Sequence, residues 1–182
     1  MNLDELSKPL TADQIDFRVQ SINKGGYATI LAYKDARVDM QRLDDAVGPL
    51  NWTRRHTGSN HNCIVSIWCD DKKEWVSKED TGTESNTEAA KGLASDSFKR
   101  ACFNWGVGRE LYDYPQISVQ LLSDEWRLNE KKKDKWGNPK AEATWKLKLK
   151  EWNWYTEFKD GKLSFIAAQD NHKKLRWKWG ER

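Results

Sequence analysis

Lys99 and Arg100 are the two side chains whose type and position most clearly suggest a chemical role. They lie within residues 85–105, where small and apolar residues recur at helical spacing and Ser85 and Glu88 have the spacing of a capping box. Lys99 falls nearly opposite the apolar stripe, so a helix that must pack also displays adjacent cations. Such cations neutralise phosphates and bind a polyanion without breaking a bond.

A solvated helix face is the alternative interpretation of the same charges. Arg100 follows Asp96 by four residues, which is the spacing of a surface ion pair on a helix. Lys91 flanks the apolar stripe and adds a third cation to the candidate surface. The helix alone therefore does not distinguish a binding site from an ordinary exposed face.

An acidic cluster offers a different chemistry, because carboxylates bind Mg²⁺ in nucleases. The residues that could build such a site are Asp70, Asp71, Lys78, Glu79 and Asp80. The first two, however, lie in the polar stretch 70–73, which predicts a hairpin turn in which acidic residues are ordinary.

The cysteines indicate neither disulfides nor a zinc site. There are three of them, an odd number, and none has C-x-x-C spacing. His61, Cys63 and Cys69 form only an incomplete ligand set, so we expect buried or half-buried thiols. The sequence has no P-loop pattern either, and we expect no ATP hydrolysis and no cofactor.

The composition is that of a soluble protein. The chain has 182 residues, of which 32% are charged, and a mean hydropathy of -0.93. No apolar run approaches the roughly 20 residues that a membrane helix needs, and the first residues lack the pattern of a secretory signal. We therefore expect a cytoplasmic protein without a membrane partner.

Charge and tryptophan content divide the chain near residue 118. Residues 1–118 have 15 basic and 18 acidic side chains, a net charge of −3, whereas residues 119–182 have 16 and 10, a net charge of +6. Seven of the 11 tryptophans lie in the basic part, where they either stack on unpaired bases or pack in a core or subunit contact. We expect residues 1–118 to form one domain and residues 119–182 a basic C-terminal region of unassigned function.

The elements before the cationic helix predict an α+β fold. Apolar residues at helical spacing predict an amphipathic helix over residues 10–22, and a β-branched and aromatic run predicts a strand over residues 27–33. Residues 38–47 predict a second helix. Three strands should follow, over residues 52–57, 63–70 and 74–83. The expected core is β-β-β-α, with a helix and a strand before it.

Beyond residue 118 the sequence predicts a Trp- and Lys-rich β-hairpin region. Residues 130–140 indicate a charged loop, and the strict alternation of residues 145–150 predicts a half-exposed strand. Asp160 and Gly161 predict a hairpin turn that leads into a strand at residues 163–166.

With these elements in order, the chain resembles the Rad52/Sak group of single-strand annealing proteins, which includes short phage recombinases. The strongest part is the run Ala-Ser-Asp-Ser-Phe-Lys-Arg-Ala at residues 94–101, followed by Phe103, Trp105, two glycines and Leu-Tyr-Asp at residues 111–113. The upstream order of a strand, a helix and three strands with a polar hairpin agrees. The resemblance covers about residues 16–114.

The resemblance implies an oligomeric ring whose basic groove holds single-stranded DNA by its backbone and leaves the bases exposed to a complementary strand. In this group the Lys-Arg pair of the helix and an arginine before the second helix line the inner groove, and the matching residues are Lys99, Arg100 and Arg37. An outer DNA site uses lysines near the hairpin, for which Lys72 and Lys73 are the candidates. The acidic balance of the first domain departs from the basic annealing domain of the group.

We therefore predict a non-enzymatic, ATP-independent protein that binds single-stranded DNA and anneals complementary strands in phage recombination and DNA repair. It should act as a homo-oligomeric ring in the cytoplasm of a bacterial host, with a host single-strand-binding protein as a further partner. Three alternatives stay open: a module that binds double-stranded RNA, which β-β-β-α also suits, the magnesium nuclease, and a purely structural oligomer.

Overall fold

The structure is a computed structural model that describes residues 2–83 and 89–181, with only the backbone of residues 89–91. The α-helices are α1 (Asp4–Ser7), α2 (Ala36–Val47) and α3 (Ala89–Asn104). The first six strands are β1 (Asp16–Ile22), β2 (Tyr27–Tyr33), β3 (Trp52–Thr57), β4 (Asn62–Cys69), β5 (Glu74–Thr81) and β6 (Ile117–Gln120). The later strands are β7 (Trp126–Lys133), β8 (Pro139–Ala143), β9 (Asn153–Lys159), β10 (Lys162–Gln169) and β11 (Leu175–Gly180). Within these described residues, no helix is both long and apolar enough to cross a membrane.

The chain forms two compact units, and the expected α+β fold class is confirmed. The first unit comprises Met1–Leu10 and Lys34–Arg109, and the second comprises Thr11–Tyr33 and Glu110–Arg182. Each unit has its own hydrophobic core. The functional division expected at residue 118 stays a prediction.

In the first unit, α3 packs on an antiparallel sheet of order β3–β4–β5. Cys63, Val65 and Ile67 alternate along the central strand β4 and are buried against Phe98 and Cys102 of the helix. β4 pairs with both of its neighbours without a shift of register. The predicted order β-β-β-α is confirmed, including the polar turn between β4 and β5.

The second unit contains two three-stranded antiparallel sheets, β1–β2–β6 and β9–β10–β11, and the separate hairpin β7–β8. Both sheets contribute to one core, in which the rings of Phe17 and Trp154 stack with centroids 3.7 Å apart. The predicted hairpin turn at Asp160 and Gly161 is confirmed, because β9 and β10 pair on either side of it.

The C-terminal tryptophans serve more than one purpose. Trp152 is buried in the core of the second unit, and Trp126, Trp154 and Trp177 are partly buried and pack against it. By contrast, the side chains of Trp136 and Trp145 are 74% and 79% exposed. Core packing therefore accounts for only part of the tryptophan content.

The helix predicted over residues 10–22 is wrong. A single 3-10 turn at Ala12–Gln14 is followed by β1, which pairs antiparallel with β2 across a tight turn at residues 23–26. Ile15, Val19 and Ile22 fit helical spacing, but Ile15, Phe17 and Val19 equally fit a period of two. The neighbouring strand decides between the two patterns, because it satisfies the backbone hydrogen bonds of β1.

Two C-terminal expectations are also wrong. Residues 145–150 form a turn and the start of a 3-10 helix, Leu149–Glu151, rather than a strand. Thr144 fixes the turn, because its hydroxyl oxygen accepts the backbone N–H of Lys146 and its carbonyl accepts that of Leu147, both at 3.2 Å. The charged loop expected at residues 130–140 is shorter, because β7 and β8 extend into it and leave only residues 134–138 as the connection.

Candidate nucleic-acid interface

A buried stripe holds α3 on the sheet and thereby fixes where its cations point. Ser97, Phe98 and Ala101 are buried as their helical spacing predicted, and Leu93 and Cys102 widen the stripe. Lys99 and Arg100 are half-buried at the edges of this contact. The helix therefore presents its cations from a fixed position.

The end of β5 approaches α3 so closely that only glycine fits there. A Cβ atom on Gly82 would lie 2.7 Å from the backbone nitrogen of Ser97. The next residue, Thr83, donates its backbone N–H and its hydroxyl to Asp96 Oδ2, at 2.9 and 3.2 Å. Asp96 thus ties the end of β5 to the helix.

Arg100 pairs with Asp80 of β5. The helical spacing had predicted a pair with Asp96 instead. Its Nε lies 3.3 Å from Asp80 Oδ1, and its side chain is 39% exposed. Asn104 donates to the other oxygen of Asp80 at 3.3 Å. A pair this exposed to solvent contributes about 1 kcal/mol or less, so a phosphate can compete for Arg100.

Two other cations donate hydrogen bonds to backbone carbonyls at the C-terminal end of α3. Lys78 Nζ donates to the carbonyl of Asn104 at 2.7 Å and lies 4.5 Å from the ring centroid of Trp105. Arg109 Nη2 donates to the same carbonyl at 3.2 Å and to the carbonyl of Phe103 at 3.0 Å. Both cations satisfy carbonyls at the negative end of the helix dipole, which is a structural role.

A buried ion pair lies within electrostatic range of Lys99. Lys34 and Asp39 are 1% and 0% exposed, and Lys34 Nζ contacts Asp39 Oδ1. Burial raises the pKa of Asp39 to about 6, against the opposing charges of Lys34 and Lys99. Among the described residues, Asp39 Oδ2 has no hydrogen-bond partner. The charge state of this carboxyl therefore affects the potential at Lys99.

The glycine turn after α3 accommodates the Lys34 side chain. Gly108 has a φ of +70°, and a Cβ atom there would lie 2.8 Å from Cδ and Cε of Lys34. Lys34 Nζ also lies 4.3 Å from the ring centroid of Phe103. Sequence reasoning missed Lys34, and its position just before the residue that caps α2 was the only available signal.

Arg37 lies exposed in the first turn of α2. Asp35 caps this helix by accepting the backbone N–H of Arg37 at 2.8 Å. α2 contacts α3, and Asp39 on α2 interacts electrostatically with Lys99, so the helices that bear Arg37 and Lys99 are neighbours. In the part of the chain that the structure describes, neither cation has a carboxylate within ion-pair distance.

Lys72 and Lys73 lie apart from these cations. Both are exposed in the turn between β4 and β5, where Lys73 Nζ is 4.0 Å from Asp70 Oδ1. Asp80, the partner of Arg100, lies at the other end of β5, about 20 Å away at the usual rise per strand residue. The structure therefore does not bring the two lysines together with Arg100.

Some predicted features cannot be placed in this way. The capping box of Ser85 and Glu88 and the side chain of Lys91 lie outside the described residues.

Arg54 is a further cation beside α3 that sequence reasoning missed. Its guanidinium lies 4.8 Å from the ring centroid of Phe98. Arg54 pairs with Val65 in the sheet, so the two side chains share the face that the helix covers. The period-two alternation of β3 was the signal that could have revealed it.

The structure does not assemble the alternative metal sites. Asp70 and Asp71 lie at one end of the β4–β5 hairpin, and Glu79 and Asp80 lie at the other. Among the residues described, no group of three or more histidine, cysteine, aspartate or glutamate side chains could hold a metal ion.

The expectation of buried or half-buried thiols is confirmed. Cys63 and Cys102 are buried, Cys69 is half-buried, and all three are free thiols. Burial raises the pKa of Cys63 to about 11 and raises that of Cys102 as well, so both stay protonated near neutral pH.

Comparisons with known proteins relate the chain to a DNA repair family and to single-stranded DNA-binding proteins. The family model described as the Rad52/22 family double-strand break repair protein matches residues 68–127, which include α3. The single-stranded DNA-binding protein DdrA of Deinococcus radiodurans is 32% identical over 114 residues, which are 61% of this chain and 54% of the relative. DdrA of Deinococcus deserti is 30% identical over 159 residues, 81% of this chain and 67% of the relative. This chain thus spans about half the length of the first relative and two thirds of the second. No solved structure matches the chain.

Proposed function

Because this chain belongs to the Rad52/22 family of double-strand break repair proteins, we propose that it binds single-stranded DNA and anneals complementary strands without ATP. Both curated relatives are named for binding single-stranded DNA. The chain performs no bond chemistry and is not an enzyme. The new duplex supplies the free energy, and the protein accelerates its formation by holding one strand extended.

The observation that carries the proposal is the set of cations on the neighbouring helices α2 and α3. Arg37 and Lys99 have no carboxylate within ion-pair distance among the described residues, and Arg100 is held only by a part-exposed pair. Phosphate oxygens form charge-assisted hydrogen bonds with such groups and release counterions from the strand. Contacts limited to the backbone leave the bases available for pairing.

We propose that the annealing form is a homo-oligomeric ring. Three cations on one chain contact few phosphates, so a single copy binds weakly, whereas a ring repeats the same contacts along one strand. Mass photometry with and without an oligonucleotide measures this directly. A monomer in both samples would contradict the ring.

The proposed setting is recombination and DNA repair by a short phage recombinase in the cytoplasm of a bacterial host. A host single-strand-binding protein is the proposed further partner. Lys72 and Lys73 are proposed as an outer contact for a second strand, and Lys91 as an extension of the inner surface.

The proposal is tested by annealing labelled complementary oligonucleotides in the absence of ATP. Lys99→Ala combined with Arg100→Ala should abolish annealing while circular dichroism and oligomeric state stay unchanged. Lys173→Ala with Lys174→Ala is the control, because it removes another adjacent pair of cations, which are exposed. Wild-type annealing by the folded Lys99/Arg100 variant would contradict the assignment of these two residues as DNA contacts.

The same samples distinguish the alternatives. Competition by duplex RNA stronger than that by single-stranded DNA would favour an RNA-binding module. Degradation of the oligonucleotide with Mg²⁺ and its arrest by EDTA would favour a nuclease.

A further inference from the structure

The β7–β8 hairpin concentrates lysines around one exposed tryptophan. Five lysines lie on it, namely Lys131, Lys132, Lys133, Lys135 and Lys140. With Arg127 and three acidic residues, residues 126–143 have a net charge of +3. Trp136, in the connection between the strands, is 74% exposed.

Hydrogen bonds fix the conformation of this tip. Asp134 Oδ1 accepts the backbone N–H groups of Trp136 and Asn138 at 2.9 and 2.8 Å. The backbone of Asp134 also pairs with that of Asn138 at 2.8 Å and accepts from Gly137 at 3.0 Å. These contacts, led by the one from Asn138, hold the pKa of Asp134 below its usual value, so the tip keeps this arrangement near neutral pH.

The indole of Trp136 has one face covered by a cation and one face open. Lys135 Nζ lies 4.3 Å from the ring centroid, which places the ammonium over one face. No other aromatic or cation–π contact of the Trp136 ring is present among the described residues, and the residue is 74% exposed. The open face has the size and the flatness to stack on an unpaired base.

The lysines differ in whether a carboxylate already neutralises them. Lys132 lies 3.0 Å from Glu142, and Lys133 lies 3.3 Å from Glu130. Lys131, Lys135 and Lys140 have no such partner in the described part of the chain. These three are therefore the cations available to phosphates beside the tip.

We propose that the β7–β8 hairpin is a second contact for single-stranded DNA, in which Trp136 stacks on a base while Lys131, Lys135 and Lys140 contact the flanking phosphates. The choice of single-stranded DNA as the ligand of this hairpin rests on the proposed function. A duplex is disfavoured because its bases must be unstacked before the indole can reach them. An acidic peptide would use the lysines but would leave the open face of the indole without a partner.

The experiment measures binding of a fluorescent oligo-dT to the full chain by anisotropy at several salt concentrations. Trp136→Ala should weaken binding by about tenfold and leave the salt dependence unchanged, since stacking on one base has this size. Trp136→Phe should restore most of the affinity. Lys135→Ala with Lys140→Ala should instead reduce the slope of log K against log salt by about 1.4, because each lost phosphate contact removes about 0.7.

Two controls match these changes in type. Trp145→Ala removes an indole that is equally exposed, and Lys159→Ala with Lys162→Ala removes two lysines that flank the turn of the β9–β10 hairpin. Both should leave binding as in the wild type. Trp136→Ala at wild-type affinity, or an equal loss in Trp145→Ala, would overturn the proposal.

Other outcomes separate this inference from the proposed function. If the wild-type chain does not bind oligo-dT, both fail. If Lys99→Ala with Arg100→Ala weakens binding but the hairpin variants do not, only the hairpin assignment fails. If the hairpin lysines are required for binding a polyglutamate peptide but not oligo-dT, the hairpin docks an acidic protein and the proposal is wrong.

Discussion

Each of the two compact units contains a buried ion pair, and the two pairs differ in how completely their carboxylates are hydrogen-bonded. In the first unit, Asp39 receives Lys34 on one oxygen, while its other oxygen has no partner among the described residues. In the second unit, Arg176 donates to both oxygens of Glu125 at 2.9 and 2.6 Å and lies 3.4 Å from Asp170. Backbone N–H groups also donate hydrogen bonds to the carboxylates of Glu125 and Asp170.

This difference in hydrogen bonding determines whether the pKa of the buried aspartate is raised or lowered. Burial acts against the charged form of Asp39 and prevails, so its pKa rises to about 6. Burial also acts on Asp170, but hydrogen bonds from the backbone of Lys174 and His172 and from Arg176 outweigh it and lower the pKa. Asp39 is therefore sensitive to protons near neutral pH, and Asp170 is not.

The largest expected effect comes from removing one partner of each pair. Lys34→Ala and Arg176→Ala should each lower the free energy of unfolding by about 3–5 kcal/mol, because each leaves a buried carboxylate without its cation. Arg176→Ala should be the more severe, since it leaves two such acids and also removes a guanidinium 4.5 Å from the Trp152 ring. Urea denaturation measures both.

A paired replacement provides the control for that loss. Lys34→Met combined with Asp39→Leu leaves no unpaired charge and should be close to neutral. A loss below about 1 kcal/mol in either single variant would contradict a role for these pairs in stability.

A smaller effect separates the two pairs by pH. The folded chain holds a proton on Asp39 that the unfolded chain, with the ordinary pKa of 3.8, has already released, so this contribution to stability is present at low pH and lost as pH rises through about 6. Relative to Asp39→Asn, the wild type should lose about 1 kcal/mol between pH 5 and pH 7.

Asp170→Asn is the matched control for the pH experiment. Because the pKa of Asp170 is lowered, its contribution is present above its ordinary pKa and is lost only as pH falls further. The difference between wild type and Asp170→Asn should therefore be constant from pH 5 to pH 7. The same constancy for Asp39→Asn would show that the two pairs do not differ.

The smallest expected effect concerns the exposed pair that restrains Arg100. Asp80→Asn should raise the affinity for single-stranded DNA by about threefold, because it removes a competing carboxylate from a part-exposed arginine. Glu5→Gln, which removes the partner of the exposed Lys8 in the same unit, should have no effect. An unchanged or lower affinity for Asp80→Asn would argue against Arg100 as a phosphate contact.

The sequence predicted those parts of the fold that depend on local patterns. The strands β3 to β5 and helix α3 follow from alternation, turn residues and a helical stripe, and all were confirmed. The segment that forms β1 satisfied both a helical and an alternating pattern, and only its pairing with β2 decides between them. Likewise, Leu147 and Leu149 alternate with lysines and both pack in the second core, but Leu149 begins a 3-10 helix and neither residue lies in a strand.

For the candidate site, the sequence predicted positions but not partners. We predicted Lys99, Arg100 and Arg37 from a helical face and from a resemblance. Neither kind of evidence identifies the side chains that contact these cations in the folded chain. Asp80 lies 20 residues from Arg100, and the pairing of Lys34 with Asp39 depends on the path of the chain into α2. Such contacts are tertiary, so spacing along one element cannot predict them.

The most direct test of phosphate binding by α3 is the salt dependence of affinity for single-stranded DNA. Log K should fall linearly with log salt for the wild-type chain, and Lys99→Ala with Arg100→Ala should reduce that slope by about 1.4, the value for two lost contacts to a single strand. Parallel lines for wild type and variant would show that these two side chains do not contact the DNA backbone.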